Sequence, residues 1–156
     1  MIVTMAVEIE RKFLVNGDAW KPAPSLLIRQ GYLNRDPQRT VRVRTSGDQA
    51  WVTVKGLTRG ATRAEFEYLI PLSDAESLLE LCEKPIVEKR RYLVRHGSQI
   101  WEVDEFLGSN AGLIVAEAEV EHEKADLDLP PWIGDEVTSD PRYYNSSLSI
   151  KPFNDW

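Results

Sequence analysis

Val7-Glu8-Ile9-Glu10-Arg11-Lys12-Phe13-Leu14-Val15 decides how this chain folds. The stretch reads as a β-strand with Ile9, Phe13 and Val15 in one phase. Alternate side chains of a strand point the same way, so Glu8, Glu10 and Lys12 share the other phase. Two carboxylates and an ammonium in a row cost too much in a dry core. Their face nevertheless reads as enclosed, which leaves a wet, charged interior able to hold a metal ion and an anion.

Matching strands follow outward from it. Leu26–Leu33 (LLIRQGYL), Thr40–Thr45 (TVRVRT), Gln49–Lys55 (QAWVTVK) and Ala61–Ile70 (ATRAEFEYLI) alternate apolar and polar residues. Ile86–Val94 (IVEKRRYLV), Gln99–Phe106 (QIWEVDEF) and Leu113–Val120 (LIVAEAEV) do the same. Between the two groups the period changes. A helix is expected over Asp74–Cys82, with Ser73 and Glu76 as a capping box and Leu78, Leu79 and Leu81 as its apolar stripe. Short helical segments are expected at Pro131–Ile133 and Asp140–Leu148. About eight strands joined by short turns predict a mainly β, antiparallel barrel or sandwich and not a parallel α/β fold.

Strand phases sort the charges by sign. Arg42 and Arg44 share one face of their strand, as do Trp51, Thr53 and Lys55, and again Lys89 and Arg91. Arg63, Glu65 and Glu67 share a face, as do Glu102 and Asp104, and Glu117, Glu119 and Glu121. The plain reading of any one such strand is a solvated face over an apolar core. An ordinary surface intersperses the signs, whereas here the rows are segregated. Segregation suggests a cationic and an anionic wall facing each other inside a closed barrel, with the apolar face outward for covering helices or a second copy, a homodimer. Arg42, Arg44, Lys55, Lys89 and Arg91 suit a polyphosphate. Glu8, Glu10, Glu117 and Glu119 are hard oxygen donors, suited to Mg²⁺ or Mn²⁺ and not to zinc. Such a site would carry out phosphoryl transfer to water, or nucleotidyl chemistry on a triphosphate.

Composition agrees with this. The 156 residues are 42% hydrophobic and 28% charged, ordinary for one domain, and a single unit over 1–156 is expected. The net charge of −6 argues against nucleic acid or an anionic membrane as partner and leaves a small-molecule triphosphate. One cysteine, Cys82, excludes an internal disulfide, and no apolar run approaches the ~20 residues of a membrane span. No signal-peptide pattern is seen, so a cytoplasmic protein is expected. Met1–Thr4 adds little to the pattern, which makes Met5 an alternative first residue.

EIERKF at Glu8–Phe13 resembles the Glu-x-Glu-x-Lys signature of the CYTH superfamily, the triphosphate tunnel metalloenzymes. The likeness continues through QGYL (Gln30–Leu33), VRVR (Val41–Arg44), TVK (Thr53–Lys55) and EFE (Glu65–Glu67). Further on it includes KRRY (Lys89–Tyr92), VDEF (Val103–Phe106), AEAEVE (Ala116–Glu121) and the tail VTSDPRYYNSSLS. This resemblance implies an eight-stranded antiparallel tunnel open at both ends, with a few short helices outside and at the C-terminus. It also implies a triphosphate inside and dependence on Mg²⁺ or Mn²⁺. Lys12, Arg42, Arg44, Lys55, Lys89 and Arg91 would bind phosphates. Glu8, Glu10, Asp104, Glu117 and Glu119 would hold metal or orient water. Tyr32 with Lys89 or Lys12 would form a lysine–tyrosine catalytic pair. The short chain, the EIERKF start and the tail look most like bacterial inorganic tripolyphosphatases. Thiamine triphosphatases, class IV adenylate cyclases and a non-catalytic polyphosphate-binding module are the alternatives.

Several residues stay outside that set. Cys82 reads as a small buried apolar residue, and His96 and His122 as surface groups. Arg63, Glu65 and Glu67 suit cross-strand ion pairs as well as function. Trp51, in phase with Lys55, is expected near a tunnel end, and Arg142 on a tail helix that lines or plugs one mouth.

Overall fold

The computed structural model describes residues 4–6, 9–57, 63–122 and 124–156. Its strands are β1 (Thr4–Ala6), β2 (Ile9–Val15), β3 (Ser25–Asn34), β4 (Arg39–Ser46), β5 (Gln49–Gly56), β6 (Arg63–Ile70), β7 (Val87–His96), β8 (Gln99–Phe106), β9 (Ile114–Val120) and β10 (Ile133–Glu136). One helix, α1 (Leu72–Leu81), follows β6, and a short α2 (Asn145–Leu148) lies in the tail. The strands form one antiparallel sheet in the order β1-β6-β5-β4-β3-β7-β8-β9-β2-β10.

About eight strands were expected and ten are present among the described residues. The first expected strand, Val7–Val15, is present as Ile9–Val15, and Thr4–Ala6, ahead of it, is an additional strand. Thr4–Ala6 pairs with β6, with Thr4 opposite Glu65, whereas Ile9–Val15 pairs with β9, with Ile9 opposite Val120. One N-terminal segment therefore meets both flanks of the other strands. Among the described residues no ladder joins β1 to β10, so the order is open. The tenth strand replaces the helical turn expected at Pro131–Ile133. The free edge of β2 takes it: Asn16 N–H donates to the Trp132 carbonyl at 2.8 Å, and Val137 N–H to the Lys12 carbonyl at 2.8 Å.

Both long hairpins turn on glycine. Ser46 pairs with Gln49 and His96 with Gln99, leaving two-residue loops that begin at Gly47 (φ 61°) and Gly97 (φ 60°). Positive φ at the first loop residue matches the twist of the flanking strands, and glycine reaches it without a Cβ clash. The helix differs from expectation at its start. Its N-cap is Pro71, whose carbonyl accepts from Ala75 N–H at 3.1 Å, and no side chain caps it. Ser73 already lies within the first turn, so the capping box does not form. Ala75 and Leu79 make the buried stripe, while Leu81 is exposed.

Each sheet face is enclosed. On the outer face Phe13, Tyr92, Trp101, Val103, Ala116 and Ala118 pack beneath Trp20, with Trp132 and Leu127 against them. Helix α1 covers Val43 and Ala50 with Ala75, Leu79 and Cys82. Much of the outer apolar face, which the sequence offered to covering helices or a second copy, is thus covered by this chain's own segments. Gly31 sits where β3 meets that helix. A Cβ there would lie 2.8 Å from Cys82 Cβ and 3.1 Å from Ile86 Cγ2. Gly31→Ala is expected to cost about 1–3 kcal/mol by overpacking, read as a lower urea midpoint at unchanged slope.

Candidate active site

Strand alternation puts the charged side chains on the inner face. Glu10 and Lys12 come from β2, Gln30 and Tyr32 from β3, Arg42 and Arg44 from β4, and Thr53 and Lys55 from β5. Glu65 and Glu67 come from β6, Lys89 and Arg91 from β7, Glu102 and Asp104 from β8, and Glu117 and Glu119 from β9. Register sets the neighbours: Arg91 faces Asp104, Lys12 faces Glu117, Glu10 faces Glu119, and Lys55 faces Glu65. Lys89 is 0% and Asp104 1% exposed, so this face is not a solvated surface.

The centre is a triad around Asp104. Arg91 Nε and Nη2 donate to its two oxygens at 2.8 and 2.9 Å, a bidentate fork. Lys89 Nζ lies 2.8 Å from Asp104 Oδ2. It also donates to Asn145 Oδ1 of α2 at 3.1 Å and sits 5.4 Å from the Phe106 ring centre. Arg91 Nη1 reaches Glu102 at 2.8 Å, and Lys12 Nζ reaches Glu117 at 2.6 Å. A weaker chain runs along the facing strands. Thr53 Oγ1 donates to Glu67 at 2.7 Å, Arg42 Nη2 lies 3.8 Å from Glu67, and Lys55 Nζ lies 3.9 Å from Glu65.

Arg44 breaks this pattern. Its Nε donates to the neutral Gln30 Oε1 at 2.9 Å, and among the described residues no carboxylate lies within ion-pair distance. Burial, then the like charges of Arg42 and Arg91, push its pKa down to about 10. Burial likewise pushes Lys89 down to about 8; Asp104 resists the shift, while Arg91 and Arg44 add to it. Both groups stay protonated at neutral pH, at a cost that an anion between them would offset.

The carboxylates are shifted down as well, which for them favours the charged form. Burial opposes ionisation of Asp104, but Lys89 and Arg91 hold its pKa below the ordinary 3.8. Burial of Glu117 is outweighed by a hydrogen bond with Glu10 and by Lys12 and Lys89, which hold it below the ordinary 4.5. Their folded pKa values are depressed, so the stability they contribute is complete above about pH 4.5 and is lost as pH falls through the folded values. Tryptophan fluorescence in urea should show a nearly constant midpoint down to about that pH and a steep fall below it.

Two cavities open on this interior. The larger, about 440 Å³, has Arg44, Arg91, Glu67 and Glu102 among its walls together with Leu26, Trp51 and Leu93. The smaller, about 160 Å³, is formed by Tyr32, Arg35, Thr40, Arg42, Lys55 and Ser146. Beyond Lys89 the inner phase turns apolar. Val87, Phe106 and Val115 pack there with Tyr143 and Leu148 of the tail. The tunnel was expected to be open at both ends; among the described residues this end of the inner face is packed by apolar side chains, beside the smaller cavity.

Glu10 and Glu117 meet within hydrogen-bonding distance, and Glu10 faces Glu119 across the ladder. Two carboxylates that close need a proton or a cation between them. Their hard oxygens, with neither histidine nor cysteine beside them, fit Mg²⁺ or Mn²⁺. The described residues do not preassemble three such ligands. Glu8 lies outside the described residues. Asp104 lies near enough to Glu117 to feel its charge, and both its oxygens are engaged by Lys89 and Arg91.

The other expected residues are placed as follows. Lys12, Lys89, Arg44 and Arg91 lie near enough to Asp104 to alter its field or be altered by it. Tyr32 faces Arg42 in the β3–β4 register and shares the smaller cavity with Lys55. Trp51 stands in the larger cavity, at the opposite end from Lys55. Arg142 does not reach the interior: it is exposed, pairs with Asp140 at 2.7 Å and stacks 4.8 Å from the Trp156 ring. The tail residue that does enter is Asn145. Sequence reasoning missed it, and also missed Gln30. Phase alone identifies Gln30, since it alternates with Tyr32; no local pattern marks Asn145.

An antiparallel β structure with cations and carboxylates turned inward and apolar residues outward defines a charge-lined class of β proteins. The chain belongs to the CYTH domain family, whose model matches residues 6–149. It is 50% identical over 154 residues to an inorganic triphosphatase of Acetivibrio thermocellus, covering 97% of this chain and 99% of that protein. It is 36% identical over 147 residues to an inorganic triphosphatase of Nitrosomonas europaea, covering 92% and 97%. A crystal structure of an inorganic triphosphatase matches with a TM-score of 0.74 at 35% identity, covering 94% of this chain and 96% of that one.

Proposed function

We propose that this protein hydrolyses a triphosphate, foremost inorganic tripolyphosphate, to pyrophosphate and phosphate in its charged interior, with Mg²⁺ or Mn²⁺. The observation that carries the reading is Arg44: a guanidinium enclosed with Arg42 and Arg91, held by a neutral amide, in a place that favours an anion. The names of the two relatives point the same way. In this reading the segment 4–15, which reaches both flanks, completes the tunnel around the substrate. One small-molecule partner and a reducing, cytoplasmic setting are all the reading needs. No helix among the described residues is long and apolar enough to cross a membrane.

Arg42, Arg44, Lys55 and Arg91 would hold the phosphate chain, with arginine forks spanning pairs of oxygens. Lys12 and Lys89 would offset the charge that grows on the leaving oxygen. Asp104 keeps Lys89 and Arg91 aimed, and Asn145 limits the reach of Lys89. Glu10, Glu117 and Glu119, with Glu8, would hold the divalent ion, which when bound supplies charge neutralisation and an activated water. Water oxygen bonds to the terminal phosphorus, the anhydride P–O bond breaks, and its electron pair leaves with pyrophosphate. The Tyr32 hydroxyl, in the cavity beside Arg42 and Lys55, would relay a proton to or from the departing groups.

The test is phosphate release from tripolyphosphate, ATP and thiamine triphosphate with Mg²⁺, with Mn²⁺ and with EDTA. Fast metal-dependent release from tripolyphosphate is expected. Equal rates on ATP would remove the preference for the inorganic substrate, and no release from tripolyphosphate would remove the proposal. The apolar walls of the larger cavity favour the second reading, an organic triphosphate ester, which the same panel would show.

A further inference from the structure

We propose that Gln30 is a phosphate-binding residue, donating from Nε2 to the middle of a phosphate chain that spans both cavities. This rests on the triphosphate reading above. Gln30 is 0% exposed and lies on β3 between Ile28, in the wall of the larger cavity, and Tyr32, in the wall of the smaller. In the β3–β4 register Gln30 stands opposite Arg44, one inner-face position from the Tyr32–Arg42 pair, and so between cations of the two cavities.

The amide can stand only one way round. Arg44 Nε is a donor with no acceptor capacity, so Gln30 must present Oε1 to it, and does so at 2.9 Å. That fixes the NH₂ group on the other side, where Nε2 has no partner among the described residues. Arg42 Nε, one strand away on the same inner face, is likewise buried without a partner among them. Buried donors are nearly always met, and unmet ones need a reason. Two unmet donors on one inner face lined with cations call for an acceptor such as a phosphate oxygen. Gln30 would supply a contact without charge where Arg42, Arg44 and Arg91 already repel one another. It would also hold the Arg44 fork in place, so one side chain orients a cation and touches the ligand.

The competing explanation is that Gln30 only positions Arg44, with water meeting Nε2. Steady-state kinetics on tripolyphosphate with Mg²⁺ separate the two. Gln30→Glu keeps an acceptor for Arg44, removes the donor and adds a carboxylate that repels phosphate, so a loss is the minimum the proposal requires and the second arm separates contact from positioning. The substitution is expected to lower kcat/KM about tenfold to a hundredfold, chiefly through KM, the effect of one hydrogen bond to a charged group. Near-wild-type kcat/KM in Gln30→Glu would overturn the proposal. A second arm places the near-isosteric Gln30→Met in the Arg44→Ala background. A direct contact predicts a further loss of about tenfold there, and action through Arg44 alone predicts none. A further loss under about twofold would also overturn it. Thermal midpoints confirm that each variant is folded. Should the wild type release no phosphate at all, the triphosphate reading fails and takes this inference with it; an active wild type with indifferent Gln30 variants sinks this inference alone.

Discussion

Asp104→Asn is expected to destabilise the fold by about 3–5 kcal/mol and to abolish turnover. Lys89, 0% exposed, and Arg91 both lean on that carboxylate, at 2.8 to 2.9 Å. The amide keeps the shape and loses the charge, leaving two enclosed cations beside Arg44 with Glu102 on Arg91 and Glu117 near Lys89 as the remaining carboxylates. Breaking a buried pair by removing one partner costs far more than the pair is worth against an apolar replacement. Urea unfolding by circular dichroism measures this directly. The result also decides between two roles for Asp104. A carboxylate crowded among metal ligands would, on neutralisation, leave the metal-free protein equally or more stable. A counter-charge, as the geometry indicates, gives the large loss. Tripolyphosphate should restore part of it, since a polyanion offers the missing charge, and the thermal midpoint of the variant should rise more on its addition than that of the wild type.

Glu10→Gln is expected to do the reverse to stability and the same to activity. Glu10 faces Glu119 and hydrogen-bonds Glu117, an arrangement that must hold a shared proton or a cation and repels itself when both are gone. Cross-strand pairs of like charge are destabilising by up to about 1 kcal/mol, so neutralising Glu10 should leave the metal-free fold unchanged or more stable by about that amount. Turnover should fall by about three orders of magnitude, because loss of a ligand forfeits several kcal/mol of charge stabilisation. Metal-free denaturation and phosphate release with Mg²⁺ check the two halves. A marked loss of stability, or turnover near that of the wild type, would show that Glu10 has a structural role and not a metal-binding one.

Where the sequence was legible, strand period was the reason. Arg42 with Arg44, Lys89 with Arg91, and Glu117 with Glu119 fall on one face by alternation alone, and neighbouring strands bring them together because antiparallel register is short-range information. The segregation of sign was less simple than the sequence implied. Inner-face cations meet carboxylates on an adjacent strand, as in Arg91–Asp104 and Lys12–Glu117, whereas Arg44 is held by a neutral amide. Alternation shows which face a residue takes and not which residue opposes it. Strand β1, ahead of the expected Val7–Val15, was missed for a related reason. Thr4–Ala6 and Ile9–Val15 join different flanks, which only the three-dimensional path reveals. The tail was the least legible. Pro130-Pro131 suggested a break and then a helix, whereas the exposed edge of β2 drew Ile133–Glu136 into the sheet. Asn145 reaches Lys89 across 56 positions of sequence, a contact that no local pattern carries.

The central claim is that the inner face grips a triphosphate beside a divalent ion. A crystal structure of the protein with tripolyphosphate and Mn²⁺, the metal located by its anomalous signal, tests it most directly. The account predicts phosphate oxygens on Arg44, Arg91 and Lys89 and a manganese ion on Glu10, Glu117 and Glu119. Tripolyphosphate on the outer surface, or a manganese ion away from those carboxylates with the interior unchanged, would contradict it.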